Sequence, residues 1–188
     1  MQSTDSLANR FLIAVPGMDD PNFNGGVALL CHHSAEGAMG LLVNRTSDFI
    51  LGEVMAQMGI QSVDPQLAAM PVLAGGPVEP ERGFVLHSPD GGPWDSTFEV
   101  SGEIHLTTSR DILEAMARGQ GPRHAAVALG YSGWGVLQLE SELREHVWLS
   151  VHATPDIVFE VPLEARWRAA TRLIGIDPAA LASYSGNA

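Results

Sequence analysis

A chain of 188 residues with 45% apolar and 17% charged residues can bury roughly 70% of the surface its unfolded form exposes, which excludes a disordered chain and removes any need for covalent staples. Ten Lys and Arg against 22 Asp and Glu leave a formal charge of −12, a balance that repels phosphate backbones and anionic membranes. The one cysteine, Cys31, excludes a disulfide within these residues and suits a reducing compartment.

The first twenty residues carry a single short apolar run, Phe11 to Val15, without the basic start and longer apolar core of a signal peptide. No window approaches the ~20 apolar residues of a membrane span. A cytoplasmic protein is expected, with residues 1–8 flexible. FLIAV (11–15), closed by Pro16, reads as a strand. GGVALLCHH (25–33) reads as another, SAEG turns the chain, and GAMGLLVN (37–44) is its hairpin partner. Asp48 is placed to cap a helix through ILGEVMAQMG, with Leu51, Val54, Met55 and Met58 on one face. Residues 61–70 read as loop. PVLAGGPV, RGFVLHS, TFEV and EIHLT give short strands punctuated by Pro, Gly and Asp.

TTSRDILEAMARGQG (107–121) is a marked helix, capped by Thr108 or Ser109, with Asp111 at its positive end and Gly119 closing it. HAAVALGY is a strand. The stretch that follows predicts a Gly-rich turn into a helix that buries Val136, Leu139, Leu143 and Val147 and presents Gln138, Ser141, Glu142 and Glu145 to water. DIVFEV reads as extended, and LEARWRAATRLIG (163–175) as the last helix, ended near Gly175 and Pro178. No internal repeat or low-complexity linker divides the chain. Short strands in hairpins with a few helices predict one α+β domain over residues 1–188, its sheet largely antiparallel.

Several separated stretches resemble one family. FLIAVPGMDDPNF, CHHSAEGAMGLLVNR, GGPVEPERGFVLHS, LTTSRDILEAMA, ALGYSGW with QLESEL and VWL, and RWRAATRLIGID follow, in order, the pattern of the AlgH/YqgE family. The resemblance runs from about Asn9 to the C-terminal GNA. It implies a strongly curved, mainly antiparallel, barrel-like sheet with flanking helices. It carries over no catalytic set, although such proteins are often labelled transcriptional regulators. The family pattern usually has Cys-Glu-His where this chain has Cys31-His32-His33, Gly-Gln-Leu-Glu at Leu137–Glu140, and Asn-Ala-Trp at His146–Trp148.

Ser132, in Gly130-Tyr131-Ser132-Gly133-Trp134, invites comparison with a nucleophile elbow. That turn needs a small residue two places after the serine, where this chain has Trp134, and the family commonly has Ala at the serine. Ser132 is therefore expected to cap the following helix. Cys31 and His33 carry zinc-ligand chemistry, but alternation along a strand lets at most these two share a side, and two ligands do not hold a structural zinc. Cys31 is expected to be a buried, inert thiol. Arg82, with Gly75 and Gly76 upstream, could form a loop that receives an anion or a peptide, beside His87 at a strand end. Neither metal nor cofactor is expected.

These residues favour a non-catalytic accessory or regulatory protein that binds a protein partner, with His33, Asn44, Arg82, His87, Tyr131, Gln138 and Glu142 as the candidate surface. The alternative is an enzyme acting on a small molecule in a cleft near His33, Asn44, His87 and Tyr131. Direct binding of DNA follows only from the family label, and the charge and the lack of a basic helix oppose it.

Overall fold

The short apolar runs pair into one curled sheet in the computed structural model, which describes residues 6–176. Its elements in chain order are β1 (Arg10–Ala14), β2 (Val27–Ser34), β3 (Gly37–Leu42), β4 (Thr46–Ile50), α1 (Leu51–Gln57), α2 (Pro65–Ala68), β5 (Pro71–Ala74), β6 (Val78–His87), β7 (Thr97–Glu99), β8 (His105–Thr107), α3 (Asp111–Ala117), β9 (Ala125–Trp134), α4 (Gln138–Arg144), β10 (Trp148–His152), α5 (Pro155–Phe159) and, after a 3-10 turn at Leu163–Ala165, α6 (Arg166–Ile174). Eight strands run in the order β10-β1-β2-β3-β9-β6-β8-β7, and β4 and β5 branch from β9. Every described pairing is antiparallel except β5 with β9. The result is the curled α+β half-barrel that the sequence predicts.

Both faces of the sheet are covered, which explains why its central strands read as continuous apolar runs rather than alternating ones. Phe11 and Ile13 of β1 face one side, with Leu29, Phe84, Leu86 and the α5–α6 residues Ile157, Val158 and Ala170. Leu12 and Ala14 face the other, with Leu139 of α4 and the indoles of Trp134 and Trp148. Farther along that second face, Leu51 and Met55 of α1 and Ile112 and Met116 of α3 pack on Val85 and Val127. Each such aliphatic side chain contributes about 1.5–3 kcal/mol by leaving water.

Several local expectations are corrected. Asp48 lies in β4 rather than capping α1; the Ile50 N–H at that helix start donates to Glu53 Oε1 at 3.1 Å. The expected loop 61–70 holds α2, whose Gln66 N–H donates to Asp64 Oδ1 at 3.0 Å, with Pro65 in the first turn where its missing N–H costs nothing. Ser109 does not cap α3, because its hydroxyl donates to Asp111 Oδ1 and accepts the Ser96 N–H. DIVFEV is largely helical: Pro155 starts α5, which buries both Ile157 and Val158. Gly130–Trp134 is not a turn into a helix but the end of β9, with Ser132 buried in the strand. Val136, expected in the buried helix face, precedes α4 and is exposed. α6 ends at Gly175 as expected, and Pro178 lies outside the described residues. Of residues 1–8, residues 1–5 lie outside the described residues, and the Leu7 N–H donates to His33 Nδ1 at 3.1 Å.

Two departures from the family pattern sit at opposite ends of α4, both in left-handed backbone: Leu137 at φ 58° and His146 at φ 57°. The family's Gly and Asn are the residues that tolerate this conformation, whereas a Cβ with a bulky side chain costs roughly 1–2 kcal/mol there. Leu137 is also 63% exposed, so little packing offsets its strain. Leu137→Gly is expected to raise stability by about 1 kcal/mol, read as a higher denaturant midpoint at unchanged slope.

Candidate functional site

The α5–α6 layer covers only part of the sheet face it packs on. Beyond it, six consecutive strands each present a side chain to an open hollow of about 1000 Å³: His32 from β2, Met39 from β3, Tyr131 from β9, Phe84 from β6, Leu106 from β8 and Phe98 from β7. The Phe84 and Tyr131 rings meet edge to face at 5.8 Å between centroids, and the Arg82 guanidinium lies 5.2 Å from the centre of the Phe84 ring. Arg82 also donates to Glu79 Oε2 at 3.1 Å, an exposed pair worth little in itself. An apolar floor with one cation over an aromatic ring and a few polar groups at its rim is the general form of a binding site. His32, where the resemblance noted in the sequence would usually place Glu, adds an imidazole to the hollow.

His32 reaches the hollow because β2 carries a bulge between Leu30 and His32. The extra residue resets the alternation. Cys31 packs with Phe84 and Leu106, whereas His33 turns to α4 and its Nε2–H donates to Glu140 Oε1 at 2.6 Å. Cys31 and His33 therefore do not share a side, contrary to the alternation argument. Burial pushes the Cys31 thiol up to about 12, leaving it protonated and inert at neutral pH. The His33 hydrogen bond, ahead of the helix backbone, holds the Glu140 carboxyl below its usual range.

The remaining candidates are distributed. Asn44 is an end-cap for β2: its side chain accepts the Val27 N–H at 2.8 Å and donates to the Gly25 carbonyl at 2.9 Å. His87 is buried, with Nδ1–H donating to the Ser88 carbonyl and Nε2 accepting the Thr107 hydroxyl, both at 2.7 Å. Its desolvation lowers its pKa and keeps it neutral. Gln138 Oε1 accepts the Gly135 N–H at 2.9 Å, tying down the turn before α4. The structure thus brings Arg82 and Tyr131 together in the hollow, while His33, Asn44, His87, Gln138 and Glu142 occupy other places. Phe84, Phe98 and His32 were missed by sequence reasoning; the alternation of TFEV and of RGFVLHS carried the signal for the two aromatic rings.

Gly75 and Gly76 do not form an anion-receiving loop. A Cβ on Gly75 would stand 2.3 Å from the Gly130 carbonyl, and one on Gly76 2.2 Å from the Tyr131 carbonyl carbon. The two glycines exist so that this backbone can cross β9 at contact distance. Ser132 Oγ–H donates to the Gly75 carbonyl at 3.1 Å in the same crossing, which is a structural role.

Glu142, read in the sequence as facing water, is half-buried beside the two indoles, and desolvation raises its pKa. The Trp148, Gln138 and Trp134 side chains pull the other way, yet among the described residues neither Glu142 Oε2 nor Trp148 Nε1 reaches a partner of hydrogen-bond geometry. A carboxyl held protonated above its ordinary range makes the folded state lose stability as pH rises through that window, and the loss persists at neutral pH. Glu142→Gln is therefore expected to raise the denaturation midpoint at pH 7, with the advantage vanishing in acid below the ordinary carboxylate range. Equal midpoints at pH 7 would contradict the assignment.

Among the described residues, no three His, Cys, Asp or Glu side chains converge as a metal site would require, and no helix is long and apolar enough to cross a membrane. The sequence profile of the AlgH-like family matches residues 11–179. UPF0301 proteins of Xanthomonas campestris pv. campestris and Stenotrophomonas maltophilia are 55% and 54% identical over 182 residues, covering 97% of this chain and 96% of each relative. The solution structure of the AlgH protein from Pseudomonas aeruginosa superposes with a TM-score of 0.80 at 42% identity, over 97% of this chain and 96% of that one. A crystal structure of a Corynebacterium diphtheriae protein shares the fold, with a TM-score of 0.73 at 20% identity over 98% and 94% of the two chains. Profile, relatives and fold agree over nearly the whole length, and the chain belongs to the AlgH-like family.

Proposed function

We propose that this chain is a non-catalytic accessory or regulatory protein of the cytoplasm that binds a protein partner through the hollow around Arg82, Phe84 and Tyr131. The observation that carries the reading is the division of chemistry in the molecule. The hollow offers apolar and aromatic surface with a cation over a ring. The groups with shifted pKa, Cys31, His87, Asp90, Asp111, Glu140, Glu142 and Arg166, lie elsewhere, serving packing, turns and helix ends. An enzyme would place such groups in the cleft, where acid–base work is done. The four residues that an enzymatic cleft would have used, His33, Asn44, His87 and Tyr131, are held by separate contacts. Direct contact with duplex DNA has no place in this reading, because the net charge of −12 repels the phosphates.

The test compares proteins captured from the native cytosol by wild type, by Arg82→Glu and by Gln120→Ala in the exposed turn after α3. A partner retained by wild type and Gln120→Ala but lost from Arg82→Glu supports the hollow. Retention by all three, or turnover of a small molecule by the purified protein, contradicts it.

A further inference from the structure

β7 is the last strand of the sheet path, three residues long and exposed throughout. Among the described residues it pairs only with β8, in the register Thr97↔Thr107, Phe98↔Leu106 and Glu99↔His105. On either side of it the Thr108 N–H donates to the Ser96 carbonyl and the Val100 N–H to the Ile104 carbonyl. Hydrogen-bonded pairs alternate in an antiparallel ladder, so Phe98 turns its main-chain groups to β8, as the Ser96 carbonyl and the Val100 N–H turn to the residues flanking β8, while the Ser96 N–H goes to Ser109 Oγ. The N–H and C=O of Thr97 and Glu99 point out to the open edge, and no described residue pairs with them. The Phe98 side chain, 40% exposed, lies on the hollow side of this edge. An open edge beside an apolar hollow is what strand addition uses: main-chain bonds give affinity, and alternate side chains enter the pocket.

Charge identifies the occupant. Between Arg82 and Arg110 the chain has no Lys or Arg and carries Asp90, Asp95, Glu99 and Glu103. The last three are exposed along the edge or its flanking turns. A second copy would bring the same carboxylates against themselves, whereas a basic segment would neutralise them. We propose that β7 is the edge onto which a basic, extended segment of a partner protein adds as a further strand, with the side chain beside Phe98 entering the hollow and an Arg or Lys beside Glu99. This deepens the binding reading above and rests on it.

The test uses nitrogen-15-labelled protein of full length with two synthetic peptides, one alternating Arg and Val and one alternating Glu and Val. The Arg–Val peptide is expected to slow hydrogen exchange at the Thr97 and Glu99 amides about tenfold or more, in a manner weakened by salt, while the Glu–Val peptide leaves them unchanged. The charge-reversed double variant Asp95→Lys, Glu99→Lys should weaken binding of the Arg–Val peptide by at least about tenfold. Fast exchange at both amides in saturating Arg–Val peptide, or equal protection by the Glu–Val peptide, overturns the proposal. So does protection in the free protein that is lost on deleting residues 177–188, or self-association through β7, since another occupant then holds the edge. Capture of a partner that depends on Arg82 while Thr97 and Glu99 still exchange fast overturns strand addition alone and leaves the hollow standing as the binding surface.

Discussion

Gly76→Ala is expected to remove most or all of the stability of the fold. A Cβ there would stand 2.2 Å and 2.3 Å from the Tyr131 carbonyl carbon and oxygen and 2.4 Å from Ser132 Oγ. Two of the three are backbone atoms of β9, the strand that pairs with β3, β5 and β6, so the clash cannot be relieved by rotating a side chain. Relief requires opening the crossing itself, and with it the 3.1 Å hydrogen bond from Ser132 to Gly75. A cost above about 4 kcal/mol follows, against the ~5–15 kcal/mol that holds a typical domain together. Gly102→Ala is the control, since its Cβ would meet none of the described residues within 4 Å. Chemical denaturation should show Gly102→Ala close to wild type and Gly76→Ala unfolded or nearly so. A Gly76→Ala midpoint near that of wild type would mean that the two chain segments do not cross as described.

Trp148→Ala should cost about 3–5 kcal/mol, and Trp134→Ala a similar amount. The two indoles are 2% and 5% exposed and meet edge to face at 6.0 Å. Phe23 completes the group, 5.5 Å from Trp148 edge to face and 6.2 Å from Trp134 in a stacked arrangement. Such contacts add roughly 0.5–1.5 kcal/mol per pair beyond area burial, so the two losses should not be additive. Trp148→Phe should lose less, because it keeps an aromatic ring and removes the indole N–H that finds no partner among the described residues. Iodide should quench neither indole in the native protein. A wild-type midpoint for Trp134→Ala, with ready quenching, would make that residue part of an exposed surface instead.

Much of this architecture was legible because it rests on local rules. FLIAV, GGVALLCHH and GAMGLLVN became β1, β2 and β3, and SAEG became the turn between the last two, since apolar runs bounded by Pro and Gly have few other uses. What was misread depended on contacts distant in sequence. The glycines at 130 and 133 suggested a turn into a helix, but both lie within β9, Gly130 at the crossing with Gly75 and Gly76, far away in the chain, and Gly133 opposite Met39 of β3. DIVFEV alternates like a strand, yet Pro155 opens a helix that the sheet then covers. Of the candidate site, Arg82 and Tyr131 share the hollow. His32 was passed over in favour of His33 because strict alternation was assumed, and the bulge before His32 breaks it. The departures at Leu137 and His146 were visible in the sequence, but their physical meaning, left-handed backbone at both ends of α4, required the coordinates.

On the proposed reading, the hollow and no other face meets the partner. Photo-crosslinking tests it most directly. A benzoylphenylalanine is placed in turn at His32 and Phe98 on the hollow and at Gln120 in the exposed turn after α3, in the full chain produced in its own host. Irradiation should give the same discrete adduct, to one partner protein, from positions 32 and 98 and none from position 120. Adducts from position 120 alone, or no adduct at 32 and 98 while the protein remains folded, would contradict the account.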